Sequence, residues 1–234
     1  MKYALREAQC AEVDAIDDRG EAIPTLNPEL HRLLLPAYRP CRNFSGACRE
    51  MRWNPPAGHV PRGFCGATGE LSEVVLVLVT AEPGDPHDQE SHPADTEAAV
   101  RSTFEYAYRC YQNGKDQYHR NIRAILDLCF PDRSFDEHMR RTWMTESVLC
   151  SATKEGASVR GPVERACRVG YLDPQLDLFP SAVVAALGGK AAKRLRGRAF
   201  ISAFAAAPPG CNFRGARESW EAIARAVRAR AGAT

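Results

Sequence analysis

The sequence predicts an α/β fold: a three-layer α/β/α sandwich around a central, mainly parallel four-stranded sheet. Three observations lead there. Residues 74–79 read VVLVLV, a continuous aliphatic run of the kind that marks a strand buried on both faces. Downstream, strand-like and helix-like segments alternate, which implies parallel strands joined by crossover helices. Two loops, TAEPGDPH and AAAPPGCN, each leave the carboxyl end of a strand segment, where ligands of open α/β sheets sit.

Residues 1–40 are mixed and contain proline, and read as an N-terminal arm or cover with a short helix over 28–35. Residues 41–72 are rich in Gly, Pro, Arg and Cys, and read as irregular backbone. The strand over 74–79 follows, then the acidic loop TAEPGDPHDQESHPAD. Asp95 is placed to cap a helix over 96–112, and a second helix covers 115–128. Residues 142–149 read as the second strand and 160–178 as helix. Residues 181–187 form a short apolar strand, after which Gly188-Gly189 opens a Lys-rich helix. Residues 198–205 form the fourth strand, 208–212 a turn and 214–230 an amphipathic helix. Residues 41–234 thus form a single domain with no internal repeat.

A 44% hydrophobic fraction supports a substantial core, and 26% charged residues argue against global disorder. The start, MKYALREAQC, lacks the apolar stretch of a signal peptide, and the longest aliphatic run is far too short to span a bilayer. A cytoplasmic monomer without membrane contact is expected. The net charge of +2 hides an asymmetry: residues 81–100 carry acids and no Lys or Arg, whereas residues 190–234 are basic. Such a basic quarter is either a solvated helix face or a phosphate-contacting surface. Nine cysteines in a reducing compartment point away from disulfides, toward metal binding or plain burial.

Thr80-Ala81-Glu82-Pro83-Gly84 resembles the first motif of the uracil-DNA glycosylase superfamily, Gly-x-(Asp/Asn/Ala)-Pro-(Gly/Tyr), with Glu82 where one branch keeps its catalytic Asp. The iron–sulfur bacterial branches write Gly-Glu-Ala-Pro-Gly, which would put the acid at Ala81. Trp143-Met144-Thr145-Glu146-Ser147-Val148-Leu149-Cys150 resembles their Tyr-Ile-Thr-Asn-x-Val-Lys-Cys, with Glu146 replacing the Asn that reads the uracil edge. Ala182–Ala192 is similar to their Val-Val-Ala-Leu-Gly-x-x-Ala. The last motif, His-Pro-Ser-Pro followed by Asn, is answered by Ala205-Ala206-Ala207-Pro208 with Asn212 following, so the catalytic His is missing at Ala205. The resemblance covers roughly residues 41–225 and is closest to the iron–sulfur branches.

The resemblance implies a DNA repair glycosylase, monofunctional, that flips uracil out of DNA and hydrolyses its N-glycosidic bond, leaving an abasic site. The alternatives are a weak or inactive binder of uracil-containing or abasic DNA and, with less support, an iron–sulfur redox protein. Glu82 and Asn212 are the catalytic candidates, the carboxylate stabilising a cationic sugar or positioning water. Ala81, Gly84, Asp85, His87, Phe104 and Glu146 are candidates for the base pocket. Phe104 would stack on the base or sit in the core; His87 would replace the lost donor or face solvent. Glu146 would accept from uracil, donate to O4 if protonated, or pair with Arg140 or Arg141. Backbone amides of residues 210–213 offer donors for the departing base anion. Pro208, Pro209, Gly210, Phe213, Arg214 and Lys190 are the DNA-contacting candidates, with Phe213 as a wedge or a helix staple. A four-iron iron–sulfur cluster would take Cys41, Cys48, Cys150 and Cys167, with Cys65 as a rival ligand.

Overall fold

The computed structural model describes residues 22–154 and 157–231. Cys10 and most of the expected arm lie outside these residues. Of that segment, residues 22–40 are described and lie against the core as a cover. Pro in the first turn and the Asn27 side chain, which accepts from the Glu29 amide at 2.9 Å, start helix α1 (Pro28–Leu34). Leu30, Leu34 and Tyr38 are then buried in the common core.

The aliphatic run forms β2 (Leu76–Thr80), buried along its whole length and central in the sheet. β3 (Thr142–Glu146) pairs with it in parallel on one side and β4 (Val183–Leu187) on the other, and β5 (Ile201–Ala203) extends the sheet beyond β4. A fifth strand, β1 (Cys65–Gly66), adds antiparallel to β3, so the sheet is mixed and five-stranded rather than four-stranded. Two residues paired across a long sequence separation leave no local signal, which is why β1 is invisible to periodicity.

Helices α2 (Thr96–Asn113) and α3 (Gln117–Cys129) join β2 to β3. Asp95 and Asp116 cap them, accepting from the Ala98 and His119 amides. A short helix α4 (Phe135–Arg141), unforeseen in the sequence, precedes β3 behind a Ser134–Glu137 capping box. The helix expected over 160–178 is three pieces: α5 (Gly161–Cys167), one π-helical turn at Arg168–Leu172, and α6 (Asp173–Asp177). α7 (Gly189–Arg194) links β4 to β5, and α8 (Ala216–Ala231) closes the described chain. Right-handed crossovers put α2 and α3 on one face and α5 to α7 on the other. α8 packs on α3, β4 and β5, and α7 on β2 and β4.

The chain runs from β2 outward to β3, then back past β2 to β4. The crevice at such a reversal, beyond the carboxyl ends, is where open α/β sheets bind ligands.

Candidate functional site

A cavity of about 440 Å3 lies at that crevice. Its wall is built from every parallel strand's carboxyl end: the 80–85 loop after β2, Glu146 at the end of β3, Leu187 of β4, and Ala205–Ala207 after β5. The two loops singled out in the sequence therefore meet. Tyr106, Cys110 and Tyr111 of α2, and Asp116, Tyr118 and His119 around the start of α3, form the opposite wall.

Glu146 sits on the sheet side. Parallel pairing puts it beside Thr80, and it is 6% exposed. Burial pushes its carboxyl up to about 8, helped by the nearby charge of Glu82 and opposed by Thr80, Arg62 and Arg194. Its Oε2 is buried without a hydrogen-bond partner. It does not pair with Arg140, which binds Glu73 at 2.8 Å. Gly63 backs it at φ +82, and a Cβ there would stand 2.4 Å from Glu146 Cγ. Only glycine lets this carboxyl lie where it does.

Glu82 lines the same cavity, and both its oxygens are engaged. Lys190 Nζ bonds one and Arg194 Nη1 bonds the other at 2.5 Å. Arg194 is itself buried, holding Glu164 at 3.0 Å, the Ala81 carbonyl at 2.8 Å and Ser147 Oγ at 3.1 Å. A carboxylate gripped by two cations has a fixed direction and no oxygen left over for another partner. Lys190, expected on DNA, is held in this cluster. Gly84 carries its carbonyl to buried Arg62 and to Ser151 Oγ, which pins the loop, while Asp85 turns outward to Arg52.

On the helical wall, Asp116 joins two imidazoles. His119 Nδ1 lies 2.9 Å from Oδ1 and His87 Nε2 lies 3.2 Å from Oδ2. His87 Nδ1 reaches the Tyr106 hydroxyl at 2.9 Å, so both its ring nitrogens are occupied. Burial alone would raise the Asp116 carboxyl, but the His119 amide and the two imidazoles hold it below its ordinary value. Burial lowers His119, against the pull of Asp116.

Several candidates lie elsewhere. Phe104 is 1% exposed in the core, because its helical face turns toward the sheet; Tyr106, two residues on, faces the cavity. Asn212 lies outside the lining and accepts from Gln117 Nε2 at 3.4 Å. The amides of Cys211, Asn212 and Phe213 already donate to Ala207, Pro209 and Gly210, so they are not free for an anion. Pro208 and Pro209, joined by a cis peptide bond, lead outward from the cavity through Gly210 to exposed Phe213 and Arg214. Phe213, 56% exposed, packs against Phe204 at 5.9 Å between ring centroids, giving an apolar pair beside the mouth.

Cys41, Cys48, Cys150 and Cys167 line one second, apolar cavity with Tyr171, Phe44 and Met51. The π turn follows Cys167 directly and carries Tyr171, whose hydroxyl donates to Cys41 Sγ at 3.2 Å. The Asn43 amide donates to the same sulfur at 3.4 Å, and the Leu149 backbone N–H to Cys167 Sγ at 3.4 Å. Burial pushes Cys48 up to about 11 and Cys167 up to about 12, and Cys150 well above its usual value, with the neighbouring sulfurs adding. Cys65 is buried elsewhere, electrostatically coupled to Cys110. Among the described residues, no group of His, Cys, Asp or Glu is arranged to hold a metal ion directly. A cluster needs four thiolates around a cage of irons, so its ligands stand further apart than those of one ion. The donor set, the apolar lining and the N–H and O–H donors aimed at sulfur fit that group.

No protein-family model matches the chain, and no curated protein matches it. Among the described residues, no helix is long and apolar enough to cross a membrane. The residues that sequence reasoning missed are Arg62, Arg194, Asp116, Tyr118 and His119. Asp116 was the legible one: an Asp after Gly-Lys and before a helical run is a cap signal, but nothing local announces the second wall of a cavity.

Proposed function

We propose that the chain is a monofunctional uracil-DNA glycosylase of base excision repair, acting on uracil extruded from DNA. The observation that carries this reading is the convergence on one cavity, roomy enough to admit an extruded nucleotide, of the TAEPG loop, the Glu146 strand end and the 205–207 segment. These are the stretches that resemble the superfamily's motifs. A neutral Glu146 carboxyl offers an O–H donor and a C=O acceptor side by side. That pair complements O4 and N3–H of uracil, and its partnerless Oε2 is free to make the bond. Glu82, fixed by Arg194 and Lys190, keeps a negative charge near the sugar's expected place, where positive charge grows as the bond breaks. Cys41, Cys48, Cys150 and Cys167 would hold a four-iron cluster that ties the 41–48 segment to β3 and α5.

A second reading has its own support. Ala205 supplies no donor to a leaving base, and Glu82 has no free oxygen. The chain would then bind uracil-containing or abasic DNA without turnover. Incubation with a labelled oligonucleotide carrying one uracil, followed by alkali, separates the two. Strand scission is expected; a gel shift with no scission establishes the binder, and neither signal removes both readings.

A further inference from the structure

Resting on the glycosylase reading, we infer that His119 is the general base of the site, taking a proton from the attacking water through Nε2, with Asp116 as its positioning residue.

The geometry singles out this histidine. His119 lines the cavity and its Nδ1 is 2.9 Å from Asp116 Oδ1. A carboxylate there fixes the proton on Nδ1 and leaves Nε2 with a lone pair. Among the described residues, Nε2 has no hydrogen-bond partner, although the side chain is only 12% exposed. His87, the other imidazole of the wall, has neither nitrogen free. Glu82 is excluded by its two cations. Asp116 also receives the His119 amide at 3.0 Å, so helix α3 and the imidazole are anchored on one side chain.

The step balances as hydrolysis. The water oxygen bonds to the anomeric carbon as the C–N bond breaks, and that bond's electron pair leaves with the base. The water proton passes to Nε2, and the base anion regains a proton from the imidazolium, directly or through solvent. Burial favours the neutral imidazole that a base requires. The charged and titratable groups around it are Asp116 beside Nδ1, Lys115 just before α3, and His87 from the loop after β2. Tyr111 of α2 and Tyr118 pack their rings against it, at 4.8 and 5.1 Å between centroids.

The test uses the full chain and a uracil oligonucleotide in single-turnover excision, with DNA affinity measured alongside. His119→Gln is expected to lower the rate about 100-fold or more while leaving affinity within about threefold. The wild-type rate should rise with pH through a value below about 6.5, and that limb should vanish in the variant. Asp116→Asn should lower the rate with the same affinity. Wild type that excises uracil at a rate His119→Gln retains overturns the inference and leaves the glycosylase reading standing. Wild type that never excises overturns that reading, and the base role falls with it; the tautomer the role requires is read independently from the imidazole 15N spectrum. The signal lost in His119→Gln must show a bare Nε2 and a protonated Nδ1; a protonated Nε2 in neutral solution overturns it.

Discussion

At the residue scale, the site is a set of groups whose neighbours decide their charge. Glu146 stays neutral because burial outweighs Arg62 and Arg194, while Asp116 stays ionised because the His119 amide and two imidazoles outweigh its burial. Identity alone assigns both as acids, so the sequence leaves the Glu146 proton open. The folded-state value of Glu146 is raised from 4.5 to about 8. The stability of the neutral, buried form is therefore fully present below pH 4.5 and lost as pH rises toward 8, because only the unfolded chain gives up the proton easily. Glu146→Gln removes this dependence. Thermal unfolding from pH 5 to 9 should show the variant gaining on wild type with pH, by a few kcal/mol at the top of the range. Parallel curves would mean that Glu146 is ionised in the folded protein. Affinity for a uracil-containing duplex should fall over the same range in wild type, since an ionised carboxylate repels O4. Glu82 shows the other limit of sequence reading. Its position in the TAEPG motif was plain, but its partners come from α7, more than a hundred residues away.

At the element scale, the parallel strands and the long helices were legible because burial on both faces and Asp caps write themselves locally. The boundaries moved by a few residues: the first strand is Leu76–Thr80 rather than 74–79, and the last is Ile201–Ala203 rather than 198–205. β1 and the break after Cys167 were not legible, since both are set by partners distant in sequence. That break matters. A continuous α-helix would advance Tyr171 along a different line; the wider π turn keeps it on the sulfur cavity, with its hydroxyl on Cys41. Four thiols, three buried and Cys150 half-buried, come from the 41–48 segment, the exit of β3 and the end of α5 to line one cavity. Anaerobic purification should give a brown protein with iron bound. Serine at Cys41, Cys48, Cys150 or Cys167 should each abolish the colour and lower the melting temperature, whereas Cys65→Ser, Cys110→Ser and Cys129→Ser should keep the iron. A colourless wild type, or iron lost equally from both sets, would reassign the four thiols to plain core packing.

At the scale of the whole molecule, charge and topology share one orientation. The carboxyl-end face carries the acidic 81–95 loop on one side of the cavity and the start of the basic C-terminal quarter on the other. Among the basic residues there, Lys190 and Arg194 are held by Glu82, and Arg198 by Asp173 and Asp177. Arg214, exposed beside the Phe204–Phe213 pair, makes no ion pair among the described residues. A duplex whose extruded base entered the cavity would bring a phosphate to this loop, and the aromatic pair to the gap left in the stack. Sequence composition showed the basic quarter but not which cations were already paired, and only unpaired ones add to binding. Arg214→Ala should therefore weaken binding of uracil and thymine duplexes by the same factor, because a phosphate contact carries no base information. Titrations across salt concentration should show the slope of log K against log salt shallower by about 0.9, the signature of one lost contact to duplex DNA. Glu146→Leu should do the opposite, weakening the hold on an extruded uracil while leaving that slope alone. If Arg214→Ala leaves the slope unchanged, the duplex does not cross this loop, and the apolar pair beside it is not a wedge.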